Sequence, residues 1–323
     1  MTKAIRIHAN GGPEVMVWED VPTPEPGPSE ALIKHEAIGL NFIDVYFRTG
    51  LYKAPGMPLI IGQEGAGTVL AVGGNVTNVA PGDRVAYAGS LGGYATERVI
   101  AADRLIKLPD AIGFQTGAAM MLQGMTAQYL LRRTYNVKSG DTIVVHAAAG
   151  GVGLILCQWA QHLGATVIGV VSSEEKAELA LAHGAAHAIV GHSKLAAEVK
   201  RITGGAMVPV VYDSVGKDTF AASLDCLAPL GLMVSYGNAS GPVPPLDIGI
   251  LGAKGSLFLT RPTLATYTAK RSDLEHVAAD LFDVVGSGAV KIQVNQTFSL
   301  KDAALAHEAL EGRKTTGSTV LLP

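Results

Sequence analysis

The stretch TIVVHAAAGGVGLILCQWA, Thr142 to Ala160, constrains the fold more than any other part of the chain. It contains no Asp, Glu, Lys or Arg, and roughly 18 uncharged residues are enough to cross a bilayer as one helix. The order of residue types argues against a span. Ile143, Val144 and Val145 are β-branched and read as a short buried strand, Leu154 to Ala160 reads as helix, and glycines at 150, 151 and 153 lie between them. The segment is expected to be a strand, a tight turn and a helix.

Such a turn suits a phosphate. Ala148, Gly150 and Gly153 fill the three places of a G-x-G-x-x-G pattern, with Gly151 and Val152 completing the loop. Glycine at 150 lets the backbone approach a pyrophosphate, Gly153 lets helix pack closely on strand, and the helix start offers N–H groups and a positive dipole end. Ala148 departs from the strict pattern but stays small. A plain strand-turn-helix of another α/β fold is the alternative. About 20 residues on, where an NAD site carries an acid for the ribose, the chain reads VVSSEEKAEL. Ser172, Ser173 and Lys176 suit a 2′-phosphate, hence NADPH; an ordinary serine cap followed by a solvated lysine is the other reading. Glu174 and Glu175 fall in the first turn of the next helix, where acids serve the dipole.

The turn sits in a longer rhythm. From about 123 to 262 strand-like and helix-like runs alternate: TIVVH, helix 151–163, TVIGVV, helix 174–183, HAIV, helix 193–203, VPVVYDSV, helix 217–228, GLMVSYG and GSLFLT. Six strands with intervening helices predict a doubly wound parallel sheet. Residues 1 to about 120 are rich in Gly, Pro and short β-type runs, which predicts a compact all-β unit. The remainder mixes helix (274–285, 303–310) with strand (293–298, 319–322). The chain is thus read as α/β, with domains at 1–122 and 123–262 and a segment 263–323 returning to the first.

Several function classes are set aside. A net charge of −3, with no basic cluster, carries no nucleic-acid footprint. The N-terminus lacks the apolar segment and small-residue cleavage site of a signal peptide, so a soluble cytoplasmic protein without membrane association is expected. Cys157 and Cys226, far apart and each in an apolar, helix-like pattern, build neither a disulfide framework nor a zinc site. His183 and His187 have an i,i+4 spacing, but Gly184 breaks the helix between them. No metal is expected.

With these features in place, the chain resembles the zinc-independent NADPH:quinone oxidoreductases (quinone reductase, zeta-crystallin-like) of the medium-chain dehydrogenase/reductase superfamily. The matching segments are GLNFIDVYFRTGLY, GQEGAGTVLAVG, GDRVAY, QGMTAQYLL, HAAAGGVG, VYDSVG, GLMVSYGN, LFLTRP and EGRKTTGSTVLLP, spread over the full length. The resemblance implies a GroES-like β-rich domain for the substrate, a Rossmann domain for NADPH, and a homodimer joined through the Rossmann domains. GSLFLT would supply the exposed edge strand of that joint, with Leu257 upon it. In the zinc-dependent branch a Cys stands at the place of Asn41 and a His at that of Gln63, and neither amide is a good zinc ligand. Asp44 and Glu64 remain as orienting groups.

By the same resemblance, Asn41 and Tyr46 are the catalytic candidates, with Tyr46 orienting or protonating the substrate oxygen; a structural tyrosine packed beside the cofactor is the alternative. Asp44, Tyr52, Gln63 and Arg261 line the substrate. Phe42, Thr126 and Tyr129 lie along the cofactor together with Asn41 and Tyr46. Ser172, Ser173, Lys176, His192 and Arg313 surround the adenosine phosphate, and Tyr236, Gly237, Asn238 and Thr260 face the ribose and nicotinamide. Without a Lewis acid an isolated carbonyl is poorly activated, whereas a quinone or enone takes hydride at a conjugated position whose anion is delocalised. The expected activity is NADPH-dependent quinone reduction, extending to small enones. The rival readings are a 2-alkenal or alkenone reductase of the same fold, and an NADPH-binding crystallin-like or RNA-associated protein with little catalysis.

Overall fold

A computed structural model describes residues 1–323, which divide into two compact units. The first comprises Met1–Met125, Thr268–Gly286 and Ile292–Pro323; the second comprises Thr126–Tyr267 and Ser287–Lys291.

The second unit is the alternating region. Its six-stranded sheet runs in the order His187–Val190, Thr166–Val171, Thr142–His146, Val208–Asp213, Leu227–Ser235 and Phe258–Thr260, all parallel. The order reverses at Thr142–His146, the first strand. Ligands of doubly wound sheets bind outside the carboxyl ends of the strands at such a reversal. β-branched runs such as Ile143–Val145 are wholly buried, as expected of strands covered on both faces. Val144, Ile168, Val199, Val211, Leu224 and Met233 meet in one core with Leu257.

Three expectations need correction here. The helix expected over 217–228 is only Phe220–Leu224, because Leu227 already begins the next strand and Pro229 cannot continue a helix. Cys226 therefore lies between helix and strand rather than within a helix; both cysteines are free and buried. Leu257, expected on the exposed edge, is 6% exposed and belongs to the core, whereas Phe258 and Leu259 of the edge strand are 60% and 40% exposed.

The first unit is built on a seven-stranded sheet, in which Val294–Ser299, Ser318–Leu322, Glu30–Leu40, Glu64–Val72, Arg84–Ala88 and Ile106–Lys107 follow one another and Glu97–Ala101 also pairs with Glu30–Leu40. A three-stranded sheet of Met16–Val21, Thr2–Ile7 and Leu59–Ile60 accompanies it. The unit is not all-β. Helix Phe42–Thr49 interrupts the strands, and Phe114–Tyr129 is a long helix continued by a π-helical turn at Leu130–Thr134. The division between units falls within the long helix, and residues 303–311 form another helix of the first unit.

Candidate active site

Strand Glu30–Leu40 ends one residue before Asn41, which caps helix Phe42–Thr49. The Asn41 N–H donates to Asp44 Oδ2 at 2.9 Å, half of a capping box that fixes the chain's turn from strand to helix. One helical turn on, Tyr46 packs its ring 6.3 Å from that of Phe42 and 5.2 Å from that of Tyr52, and the Tyr52 N–H donates to the Tyr46 carbonyl at 3.0 Å. Tyr46 is buried and Tyr52 half-buried.

The Asn41 side chain is held from two sides. Its Nδ2 donates to Glu64 Oε2 at 2.7 Å, and its Oδ1 accepts from Gln123 Nε2 at 3.2 Å. Leu122 N–H donates to the other Glu64 oxygen at 2.8 Å, and the Ser318 hydroxyl donates to Gln123 Oε1 at 2.7 Å. Gln63 precedes Glu64 and is buried, and its Nε2 has no acceptor. Asp44 Oδ1 is likewise buried without a partner. Asp44 lies three residues after Asn41, and Gln63 precedes strand Glu64–Val72, which pairs with strand Glu30–Leu40. An orphaned buried donor costs about 1–3 kcal/mol, so Gln63 Nε2 calls for an oxygen from a bound molecule.

Two carboxyls share this neighbourhood, both fully buried. Burial raises Glu64 from its ordinary 4.5 to about 8, against the pull of the bonds from Asn41 and Leu122 and with the help of the like charge of Asp44. Burial likewise raises Asp44 from 3.8 to about 7, against the bonds from Asn41 and Tyr94. The site therefore holds acid groups that change charge near neutrality.

In the second unit the glycine turn has the expected form. Gly150 caps helix Gly151–His162, and a Cβ on Gly153 would lie 2.2 Å from the Ala147 carbonyl oxygen, so only glycine fits there. The alanine at 148 is tolerated for a specific reason. A Cβ on Gly169 of the neighbouring strand would come within 2.9 Å of the Ala148 Cβ, so the space denied by one residue is given back by the other. Ser172 follows strand Thr166–Val171 and is exposed. Ser173 is the cap of helix Glu174–Ala182, its oxygen accepting the Lys176 N–H at 3.4 Å, which leaves its own O–H available to donate. His192, also exposed, follows the neighbouring strand His187–Val190.

Beyond Ser235 the chain runs through Tyr236, Gly237 and Asn238, and the Tyr236 N–H donates to the Asp213 carbonyl at 2.8 Å. Arg261 Nη1 donates to the Ser235 carbonyl at 2.8 Å. Oriented to satisfy both neighbours, the Asn238 amide accepts from Arg261 Nη2 at 3.0 Å and donates to the Gly237 carbonyl at 3.0 Å. Thr260 ends the adjacent strand. Tyr129 stacks on Tyr267 with centroids 4.4 Å apart, and Thr126 is buried one turn earlier on the same helix. The structure thus gathers Asn41, Phe42, Asp44, Tyr46, Tyr52 and Gln63 in the first unit. Thr126, Tyr129, the glycine turn, Ser172, Ser173, Lys176, His192, Tyr236, Gly237, Asn238, Thr260 and Arg261 belong to the second. Arg313 belongs to the first, exposed and with φ +57° after helix Ala303–Glu311.

Sequence reasoning missed the supports. Gln123 and Ser318 hold the Asn41 amide, and in the second unit Asp213 accepts from Thr219 Oγ1 at 2.7 Å and Ser223 Oγ at 2.9 Å, with His146 Nε2 2.8 Å from the latter oxygen. Their one visible signal was polarity inside apolar runs, as in VYDSVG.

Comparison with known proteins agrees with this architecture. Residues 27–110 match the alcohol dehydrogenase GroES-like domain and residues 151–282 match the zinc-binding dehydrogenase domain. A quinone oxidoreductase of Pseudomonas aeruginosa is 55% identical with all of both chains covered. The chain belongs to the quinone oxidoreductase family. Another relative, the 2-haloacrylate reductase of a Burkholderia species, is 47% identical, covering 100% of this chain and 99% of the relative. Among solved structures, the Escherichia coli quinone oxidoreductase complexed with NADPH matches with a TM-score of 0.97 and 47% identity, each chain covered completely. The family's fold is a Rossmann-type parallel sheet together with a GroES-like β-rich domain, as seen in the two units.

Proposed function

We propose that this chain is an NADPH-dependent quinone reductase that works without a metal and extends to small enones. The observation that carries the reading is the donor set around position 41. A zinc site needs thiolate, imidazole or carboxylate lone pairs, whereas here Asn41 is committed to Glu64 and Gln123 and Gln63 presents an N–H without an acceptor. Such a site binds an oxygen by hydrogen bonding. That suits a quinone, whose reduced form already spreads its charge over the ring.

The residues of the second unit fit NADPH. The cradle closed by Gly153 leaves room for a pyrophosphate at the start of helix Gly151–His162, beside Gly150, Gly151 and Val152. Ser172, Ser173, Lys176 and His192 take the 2′-phosphate side within the second unit, and Arg313 is a further candidate for the cofactor in the first. Thr126, Tyr129, Tyr236, Gly237, Asn238 and Thr260 take the ribose and nicotinamide side within the second unit, and Asn41 and Phe42 are the first unit's candidates for the cofactor. When bound, NADPH supplies the hydride. Tyr46 and Gln63 offer hydrogen bonds to the quinone oxygen, on which negative charge develops and to which a proton is finally added, giving the hydroquinone. Tyr52 in the first unit and Arg261 in the second are each a further candidate for the substrate, and Asp44 acts through the capping box that fixes Asn41.

The functional unit we infer is a homodimer paired along the edge strand Phe258–Thr260, supported by the exposure of Phe258 and Leu259. Two free, buried thiols accord with a reducing cytoplasmic compartment. The test is oxidation of NADPH by benzoquinone or phenanthrenequinone against an enzyme-free blank, beside a short enone and a haloacrylate. Quinones should show the largest kcat/KM. A preference for the haloacrylate would assign the chain to the other activity, and tight NADPH binding without turnover would sink the enzyme reading.

A further inference from the structure

The hydrogen bonds that hold Asn41 all run in one direction. Ser318 Oγ donates to Gln123 Oε1, Gln123 Nε2 donates to Asn41 Oδ1, and Asn41 Nδ2 donates to Glu64 Oε2, at 2.7, 3.2 and 2.7 Å. All four residues are buried. The series ends on a carboxylate whose other oxygen accepts the Leu122 N–H. An ionised carboxylate can only accept, so Glu64 dictates the direction of every bond behind it.

One added proton reverses that demand. Oε1 faces the Leu122 backbone donor, so the hydrogen belongs on Oε2, where it would meet the Asn41 Nδ2 donor head-on. The conflict disappears if the Asn41 amide turns over and accepts through Oδ1. Its Nδ2 then faces Gln123, which must turn over as well and present Oε1. Gln123 Nε2 then donates to Ser318 Oγ, and the Ser318 hydroxyl has an acceptor waiting in the Ala119 carbonyl, 3.2 Å away. Amide nitrogen and oxygen are nearly equal in size, so the heavy-atom contacts survive. Two hydrogen-bond patterns therefore exist on one set of positions, differing by a single proton and by the capping contact of Asn41 with the Asp44 N–H, which only the first retains.

We propose that Glu64, Gln123 and Ser318 are positioning residues that set the orientation of the Asn41 amide in two states, with the proton on Glu64 choosing between them. The spare N–H of Asn41 points from the Glu64 side in one state and from the Gln123 side in the other. With Glu64 ionised, the capping contact of the Asn41 side chain with the Asp44 N–H favours the first state. The groups that act on Glu64 are Asp44 and, from strand Arg84–Ala88, Tyr87, whose hydroxyl meets His35 Nε2 at 2.8 Å and whose ring carries the Arg98 guanidinium. Behind Asp44 stand Tyr94, His307 and Arg48. Helix Phe114–Tyr129 contributes only the neutral Gln123 and backbone donors. Burial among these groups places the proton change of Glu64 near pH 8.

The consequence for turnover rests on Asn41 belonging to the proposed site; the turning of the amides does not. Neutron diffraction from deuterium-exchanged wild-type crystals, grown on either side of pH 8, reads the orientation directly. On the acid side the Asn41 deuterons should face Gln123, and on the alkaline side Glu64. A deuterated Glu64 with Asn41 deuterons still facing it, or one orientation throughout, would overturn the proposal. Glu64→Gln places an amide nitrogen at Oε2 and should lock the acid-side orientation at both pH values. In kinetics, the wild type should show a step of about tenfold in kcat/KM across that range, the size of one ordinary hydrogen bond, and Glu64→Gln should abolish it. If the orientation changes but the kinetic step persists in Glu64→Gln, the relay stands and the placing of Asn41 in turnover fails. The wild-type diffraction decides the proposal even if the variant does not fold.

Discussion

Tyr94 donates its hydroxyl to Asp44 Oδ2 at 3.1 Å, and the Tyr94 hydroxyl oxygen lies 3.0 Å from His307 Nε2. Arg48, which can only donate, lies 3.0 Å from His307 Nδ1. The imidazole must therefore accept at Nδ1 and donate from Nε2, and the direction of the series from Arg48 to Asp44 is fixed. Arg48 is closed at its far side by a bidentate pair with Glu311 at 2.9 and 2.7 Å. A neutral histidine and a carboxyl are thus joined through one buried phenol.

Stability should follow these groups with pH. Burial lowers His307 and His35 from 6.5 to about 3 and also lowers His146, so all three stay neutral in the folded protein while the unfolded chain protonates them. Their contribution is present above pH 6.5 and is lost as pH falls, toward about 3 for His307 and His35. Asp44 and Glu64 are raised to about 7 and 8, so their contribution is present below about 4 and is lost as pH rises through 7 and 8. Each group adds a slope of up to about 1.4 kcal/mol per pH unit. Between 4.5 and 6.5 the two sets oppose; above 6.5 only the carboxyls act. Denaturant unfolding should therefore give maximal stability near pH 6.5 and a decline toward pH 8, made shallower by Asp44→Asn. A steady rise from pH 6.5 to 8 would contradict this.

Tyr46→Phe keeps the ring packing against Phe42 and Tyr52 and removes only the hydroxyl. If that hydroxyl orients or protonates the quinone oxygen, kcat should fall by roughly ten- to a hundredfold with little change in KM, because the lost bond strengthens in the transition state. An unchanged kcat would make Tyr46 a packing residue.

The cofactor preference should shift with two substitutions, one just after strand Thr166–Val171 and one in the first turn of helix Glu174–Ala182. A charge-assisted bond to phosphate contributes on the order of 1.5–3 kcal/mol, so Lys176→Ala should lower kcat/KM for NADPH by roughly ten- to a hundredfold and leave NADH nearly unaffected. Ser172→Asp should repel the 2′-phosphate and offer an acceptor to the ribose, turning the preference toward NADH. Equal losses with both cofactors would misplace the phosphate site.

Exhaustive chelation should leave turnover unchanged, and elemental analysis should find well under one zinc per chain. The amides of Asn41 and Gln63 are poor ligands for the metal. Stoichiometric zinc that restores lost activity on return would overturn the metal-free reading.

Much of this is legible in the sequence. The second unit is, because β-branched runs alternating with capped helices around HAAAGGVG leave few topologies open. Helix Phe42–Thr49 is not: it is short, directly follows an 11-residue strand, and its start is marked only by the Asn41–Asp44 capping box. The supports of Asn41 are equally hidden, since Gln123 and Ser318 come from segments 82 and 277 residues away, and polar partners at such separations leave no local pattern. Helix Phe220–Leu224 is shorter than expected because apolar residues resume after Asp225 and lead directly into the strand that follows.

Leu257 and Phe258 separate stability from assembly. Leu257 is 6% exposed and packs in the core of the second unit, so Leu257→Lys buries an ammonium and should lower the melting temperature whatever the oligomeric state. Phe258, 60% exposed on the edge strand, tests pairing instead. Only one side of that strand has a partner within the chain, the strand Leu227–Ser235, so its other side offers backbone N–H and C=O groups to a second copy across a two-fold axis. Phe258→Lys should then place two ammonium groups near that axis and weaken the dimer by at least tenfold in dissociation constant, with the melting temperature measured under monomeric conditions unchanged. Analytical ultracentrifugation over a concentration series reads both proteins. A wild type that sediments as a monomer at micromolar concentration would remove the edge pairing, and a Phe258→Lys dimer as tight as wild type would move the interface to another face.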